Sequence, residues 1–267
     1  VLCAAAQAAN RAAELVTGRR PFSDGSGPLH HHLGVSAFAE RTVVSPRSLI
    51  PVPEDVPLAV AAVFGCAVLT GVGAVLNTAG VRPGDSVAIF GLGGVGLAAA
   101  MGAVLVGASP IVVVDRVPDK LDLATELGAD HGVVADGSEV EAVRELTGGG
   151  AQWTFEAAGS VPVLQACYAA ARPGGTAVSV GLPHPDHDFA IKAVTLVAEE
   201  KTVRGSYMGS SVPRRDLPKL LELYRRGRLP VERLVTTRGL ALGDLNQALD
   251  LLSEGREVRQ IVEPHAG

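Results

Sequence analysis

From Ser86 to Val114 the sequence carries no charged residue, reading SVAIFGLGGVGLAAAMGAVLVGASPIVVV. A stretch this apolar must be buried, and its internal punctuation restricts how. Ser86–Phe90 is a short, β-branched run, as expected of a strand covered on both faces in a parallel sheet. Gly91, Gly93, Gly94 and Gly96 follow within six positions. An Ala- and Leu-rich run then reaches Val106, with Gly107 placed to end a helix. Ile111–Val114 is a second buried strand, and it closes on Asp115, the first charge since Asp85. The pattern is strand, glycine turn, helix, strand.

Each glycine has a physical reason. Gly91 suits the tight turn out of the strand, and Gly93 lets a pyrophosphate approach the backbone. Gly96 lets the helix pack closely on the strand. The helix N-terminus offers free N–H groups and a positive dipole end to phosphate oxygens. Asp115 stands about 20 residues on, where a carboxylate can accept both ribose hydroxyls of an adenosine. A lone G-x-G-x-x-G is weak; strand, helix and terminal acid in this order point to a dinucleotide. The alternative is a strand–helix–strand unit whose glycines only make turns.

At 267 residues the chain can hold one large domain or two smaller ones. A net charge of −5 argues against nucleic acid or an anionic membrane as partner. Cys3, Cys66 and Cys167 form an odd, widely spaced set, which is no disulfide framework and makes the cytoplasm the default compartment. Val56–Val81 and Ser86–Val114 are long enough to span a bilayer, but glycines interrupt both, so they read as buried core elements rather than membrane spans. The chain starts at Val1 rather than Met, within what reads as an existing segment, so the expectation is a fragment.

In chain order, Ala4–Leu15 reads as a short helix, Gly18–Gly27 as loop, Ala37–Val44 as a strand and Leu49–Val52 as the start of another. His30, His31 and His32 cannot chelate one ion together, because neighbours on an extended chain point to opposite faces. Pro57–Ala79 reads as a helix, broken near Gly65-Cys66. Pro118–Leu127, Val140–Leu146 and Pro162–Ala171 read as helices; Val133-Val134, Trp153–Glu156 and Thr176–Val180 as strands. This alternation predicts a doubly wound parallel sheet from about Val81 to Tyr207. Arg215–Arg226 and Leu242–Ser253 read as helices, Leu234–Thr237 and Val258–Val262 as strands.

With GCAVLTGVG at 65–73 and FGLGGVGL at 90–97, the sequence resembles the zinc-containing medium-chain alcohol dehydrogenases. HHHLGVSAFAERTVV at 30–44, VDRVPDK at 114–120, FEAAG at 155–159, SVGLP at 179–183 and GREVRQIV at 255–262 carry the match along the chain. The resemblance implies an α/β fold: a Rossmann sheet plus the remainder of a GroES-like, β-rich catalytic domain. The implied division is 1–65 (catalytic-domain remainder), 66–207 (dinucleotide-binding) and 208–267 (return to the catalytic domain). It implies reversible hydride transfer between a small primary or secondary alcohol (or aldehyde or ketone) and NAD, with zinc holding the alcohol oxygen as an alkoxide. It also implies a homodimer or homotetramer joined through Thr202–Tyr207.

Residue by residue, the resemblance makes Cys66 a catalytic zinc ligand and sets Thr70 beside the nicotinamide. Without it, a lone Cys in an apolar helix reads as a small buried hydrophobe. Gly91, Gly93, Gly94, Val95 and Gly96 form the loop under the cofactor; Asp115, Arg116 and Lys120 match the adenosine ribose side. Ala157, Ala158, Gly181 and Leu182 match strand ends lining the cleft, and Arg259 a pyrophosphate-facing arginine. Cys3 matches the fourth cysteine of a structural zinc site. The other ligands of both sites have no counterpart in this sequence, so the resemblance implies a C-terminal piece of a longer enzyme or a truncated gene product. Gln7 stands where glutathione-dependent formaldehyde dehydrogenases carry arginine, which disfavours that subgroup. Two rivals stay open: a zinc-free, NADPH-linked quinone or enoyl reductase, against which Cys66 and Asp115 speak, and a nucleotide-binding fragment without turnover.

Overall fold

The computed structural model describes residues 3–265. Helix α1 is Ala4–Arg11. The chain then runs without regular structure, apart from a bridge between Ser23 and Pro28 and a 3-10 turn at Pro46–Ser48, as far as helix α2, Leu58–Ala79. There follow β1 (Val87–Phe90), α3 (Gly94–Val106), β2 (Ile111–Asp115), α4 (Pro118–Glu126), β3 (His131–Val134) and α5 (Glu139–Leu146). Next come β4 (Ala151–Glu156), α6 (Val161–Ala170), β5 (Ala171–Ser179), α7 (Ala193–Ala198) and β6 (Thr202–Gly205). The tail holds α8 (Pro213–Arg225), β7 (Thr237–Leu240), α9 (Leu245–Ser253) and β8 (Gln260–Val262).

Strands β1 to β6 form one parallel sheet in the order β3-β2-β1-β4-β5-β6. Both faces are covered, and β1 shows how. Val87 and Ile89 pack with residues of α2 and α3, while Ala88 and Phe90 pack on the other side with Val143 and Cys167 of α5 and α6. Alternate side chains on a strand face opposite ways, so a strand buried on both faces must be apolar throughout. Strand order reverses between β1 and β4, which opens a crevice at their carboxyl ends where open α/β sheets bind ligands. Strands β7 and β8 make a separate parallel pair.

Helix α2 is long and apolar enough to cross a bilayer by length and composition, but 67% of its most apolar window is buried. It packs on α3 through glycines on both helices. A Cβ on Gly71 would lie 2.7 Å from the Ala99 nitrogen, and one on Gly102 would lie 3.2 Å from the Val72 Cα. The expected break near Gly65-Cys66 is instead a widened π-type turn, Phe64–Val68, inside continuous helix. It buries Phe64, Ala67 and Val68 and leaves Gly65 and Cys66 exposed.

Three expected strands need correction. Ala37–Val44 and Leu49–Val52 pair with nothing among the described residues and form no strand; Phe38 is 64% exposed and Val43 47%. Alternating apolar residues mark a face that could be buried, but a strand also needs a ladder partner. Leu234 lies in a 3-10 turn, Val231–Leu234, where it is fully buried, and the strand starts only at Thr237. A short apolar run reports burial without distinguishing strand from turn.

Candidate functional site

At the crevice, Gly91 leaves β1 with φ +91°, a conformation that side chains resist, and it turns the chain toward α3. A Cβ on Gly91 would sit 2.8 Å from the Ala158 nitrogen, and one on Gly96 would overlap the Gly91 carbonyl oxygen. Gly93 differs: a Cβ there would meet no atom of the chain, so the space before it is free. It is the residue preceding α3, whose first turn carries no acidic side chain. The N–H groups of that turn lack helical partners and can receive an anion.

Asp115 ends β2 and ties the loop down. Its Oδ2 accepts a hydrogen bond from Leu92 N at 2.6 Å, and its Oδ1 one from Val117 N at 3.0 Å. Each carboxylate oxygen has two acceptor sites, so capacity remains on the cleft side. Gly91, Gly93, Asp115, Arg116, Lys120, Ala157 and Ala158 line one cavity of about 630 Å³. That volume suits a small-molecule or cofactor site. Glu139, Pro162, Val163, Glu254 and Gly255 complete its rim. Sequence reasoning missed these, and only their position in the fold brings them together.

Gly94 lies outside this cavity, directly under Arg259: a Cβ on Gly94 would come 2.5 Å from the guanidinium Nε. The arginine thus lies on the glycine loop, delivered there from just before β8. Gly181 and Leu182 line a second cavity of about 490 Å³ with Val180, Ser206 and Tyr207, beyond the ends of β5 and β6. Val95 is on the first turn of α3, half-buried.

Glu156 ends β4, next to Ala157 and Ala158 of the first cavity. It is 1% exposed, and its Oε1 accepts from the N–H groups of Ala158 (2.8 Å), Gly159 (2.5 Å) and Ser160 (3.2 Å). Burial pushes its carboxyl above the ordinary range, while the N–H groups of Ser160, Gly159, Ala158 and Gly181 pull it back down. The only sequence signal was an acid closing a buried strand, inside the matched FEAAG.

Thr70 is buried on α2, and its hydroxyl faces the Met208 sulfur at 3.7 Å. Cys66 is exposed on the π-type turn of the same helix, a distortion common at functional sites. Cys3 is also exposed and lines a third cavity of about 320 Å³ with Gln7, Tyr207 and Met208. Cys167 is fully buried, and desolvation, with the Glu156 charge adding to it, pushes its thiol well up. A thiol reagent should therefore label Cys3 and Cys66 quickly and Cys167 only on unfolding; fast labelling of Cys167 would contradict this packing.

Zinc was expected at Cys66 and at Cys3, and the residues present do not fit it. Among the described residues no three His, Cys, Asp or Glu side chains group to hold a metal ion. A catalytic zinc takes three protein ligands and a structural one four.

Comparison with known proteins agrees with the fold. The zinc-binding dehydrogenase family pattern matches residues 94–226. The chain is 35% identical to alcohol dehydrogenase 1 of Pisum sativum over 258 residues, covering 95% of this chain and 67% of that one. It is also 35% identical to the S-(hydroxymethyl)glutathione dehydrogenase of Synechocystis, covering 98% of this chain and 71% of that one. Among solved structures, an alcohol dehydrogenase zinc-binding domain protein from Burkholderia ambifaria superposes with a TM-score of 0.89 at 37% identity, covering 97% of this chain and 70% of that chain. The chain spans about two thirds of the length of the curated relatives it matches. On a parallel sheet of this order, a glycine loop of this geometry and similarity along nearly its whole length, the chain belongs to the zinc-containing medium-chain alcohol dehydrogenase family.

Proposed function

We propose that this chain binds NAD and serves alcohol dehydrogenation, the substrate being a primary or secondary alcohol or the matching carbonyl compound. The observation that carries the reading is that the glycine loop and Asp115 line one cavity, with Arg259 seated on the same loop at Gly94. The N–H groups of the loop and of the first turn of α3 would hold the pyrophosphate, with Arg259 neutralising its charge. Asp115 would accept the adenosine ribose hydroxyls, with Arg116 and Lys120 beside it. Ala157 and Ala158 would border the adenosine half, and Gly181, Leu182 and Thr70 the nicotinamide half. NAD, when bound, supplies the hydride acceptor. The cytoplasm remains the compartment we propose, on three unpaired cysteines.

NADH should bind at least about tenfold more tightly than NADPH. A 2′-phosphate would face the Asp115 carboxylate and remove hydrogen bonds worth about 1.5–3 kcal/mol each. Glu139 and Glu254 on the same rim add to the repulsion, and Arg116 opposes it. Fluorescence titration with both reduced cofactors tests this; equal or tighter NADPH binding would refute the assignment.

For assembly we propose that a second copy pairs along β6. The sheet ends there, all four residues of β6 are exposed, and Val194 and Val197 of the adjacent α7 are 68% and 78% exposed. An open edge beside an apolar helix favours association. Light scattering should give a dimer or tetramer that Val203→Lys dissociates. A monomer at high concentration would sink the proposal.

A further inference from the structure

We infer that Glu156 is a positioning residue for dinucleotide binding, holding the two strand ends that wall the cleft at a fixed spacing. The inference rests on the dinucleotide reading above. Its side chain takes three consecutive loop N–H groups, those of Ala158, Gly159 and Ser160, onto one carboxylate oxygen. This fixes the turn after β4, where Ala157 and Ala158 border the adenosine-side cavity.

The other contacts run to β5. The Glu156 backbone carbonyl, which any residue would supply, accepts from Val180 N at 2.9 Å and Gly181 N at 3.0 Å, and the Gly181 N–H also serves the carboxyl. Its Oε2 lies where a side chain on residue 181 would go: a Cβ there would be 2.8 Å away. One residue therefore contacts segments that line both cavities, without lying on the lining of either.

An ionised carboxylate fits this arrangement better than any neutral group. Three donors on one oxygen form charge-assisted bonds. A glutamine oxygen carries no full negative charge, so its bonds to the same three donors are weaker, and its NH2 needs acceptors of its own. Leucine of similar bulk serves none. Ala158 is exposed and Gly159 and Ser160 are half-buried, so N–H groups that lose this acceptor turn toward water, and the loop moves with them. That movement would shift the wall on which the dinucleotide rests.

The test compares the unchanged chain with Glu156→Gln and Glu156→Leu, at a temperature well below unfolding for all three. Two readouts are taken: the NADH dissociation constant, and amide hydrogen exchange at Ala158, Gly159 and Ser160 in the free protein. Expected is a graded rise in dissociation constant from Glu to Gln to Leu, about tenfold or more at the end of the series. Exchange at the three amides should quicken in the same order. A residue that only supports stability would lower the melting temperature while leaving the dissociation constant of the folded protein unchanged, and that result overturns the inference. So does unchanged exchange in Glu156→Gln, which keeps the test decisive if Glu156→Leu does not fold. Failure of the unchanged chain to bind NADH is a different result: it overturns the dinucleotide reading and removes the ligand this residue would serve.

Discussion

Gly96→Ala is expected to abolish measurable NADH binding and to lower stability, while Gly93→Ala abolishes tight binding alone. The difference lies in what an added methyl group meets. At Gly96 it overlaps the Gly91 carbonyl oxygen, which belongs to backbone at the turn out of β1. Backbone cannot rotate away as a long side chain does, so α3 must lift from the sheet or the turn must open. Overpacking of this kind costs about 1–3 kcal/mol, and the displaced loop no longer presents its N–H groups together. Even 2.8 kcal/mol lost from the phosphate contacts is about a hundredfold in affinity. At Gly93 the methyl group meets no atom of the chain, and the backbone there, with φ −72° and ψ −176°, is open to any residue. Its melting temperature should stay at the unchanged protein's value while the methyl group takes up room needed for close approach of a phosphate. Thermal melts beside NADH titrations of the two variants check this. A Gly93→Ala protein that binds NADH normally would remove the loop from the site.

The second large effect concerns metal and turnover. The polypeptide of residues 1–267 is expected to bind NADH, to retain no stoichiometric zinc after dialysis, and to oxidise no alcohol. Cys66 is accessible and stands on the helix that also carries Thr70. It is nonetheless one ligand where three are needed, and no second and third stand beside it among the described residues. A single thiolate does not fix an ion in place, and without that ion an alcohol near neutral pH stays protonated and is a poor hydride donor. Elemental analysis with assays on primary and secondary alcohols decides the matter. One zinc per chain, or metal-dependent turnover, would show that other residues complete the site.

The central sheet was legible because its strands are short uncharged runs bounded by glycine and acid, a pattern that two-sided burial imposes. The positions of Asp115 at the end of β2 and of the glycines between β1 and α3 were legible from local spacing. Other features were hidden. Residues 37–44 alternate like a strand, yet alternation says nothing about whether a partner ladder exists. Cys66 sits among apolar neighbours and reads as buried; the π-type turn adds a residue that the 3.6-residue period does not reveal, and it leaves the thiol exposed. Glu156 looked like the end of a strand because its partners are backbone N–H groups, which have no sequence signature. The seating of Arg259 on Gly94, and of Gly255 near the Lys120 ammonium, depends on how the C-terminal segment returns across the sheet.

The claim that one cleft of this chain is a dinucleotide site is tested most directly by mapping backbone amide shifts in the NMR spectrum as NADH is added. The account predicts saturable changes concentrated at Gly91–Gly96, Asp115–Lys120, Ala157–Gly159 and Gly181–Leu182, with Arg259 included and the Cys3 cavity quiet. Changes centred on Gln7, Leu33 and Ser45 around that third cavity, or none at saturating NADH, would contradict it.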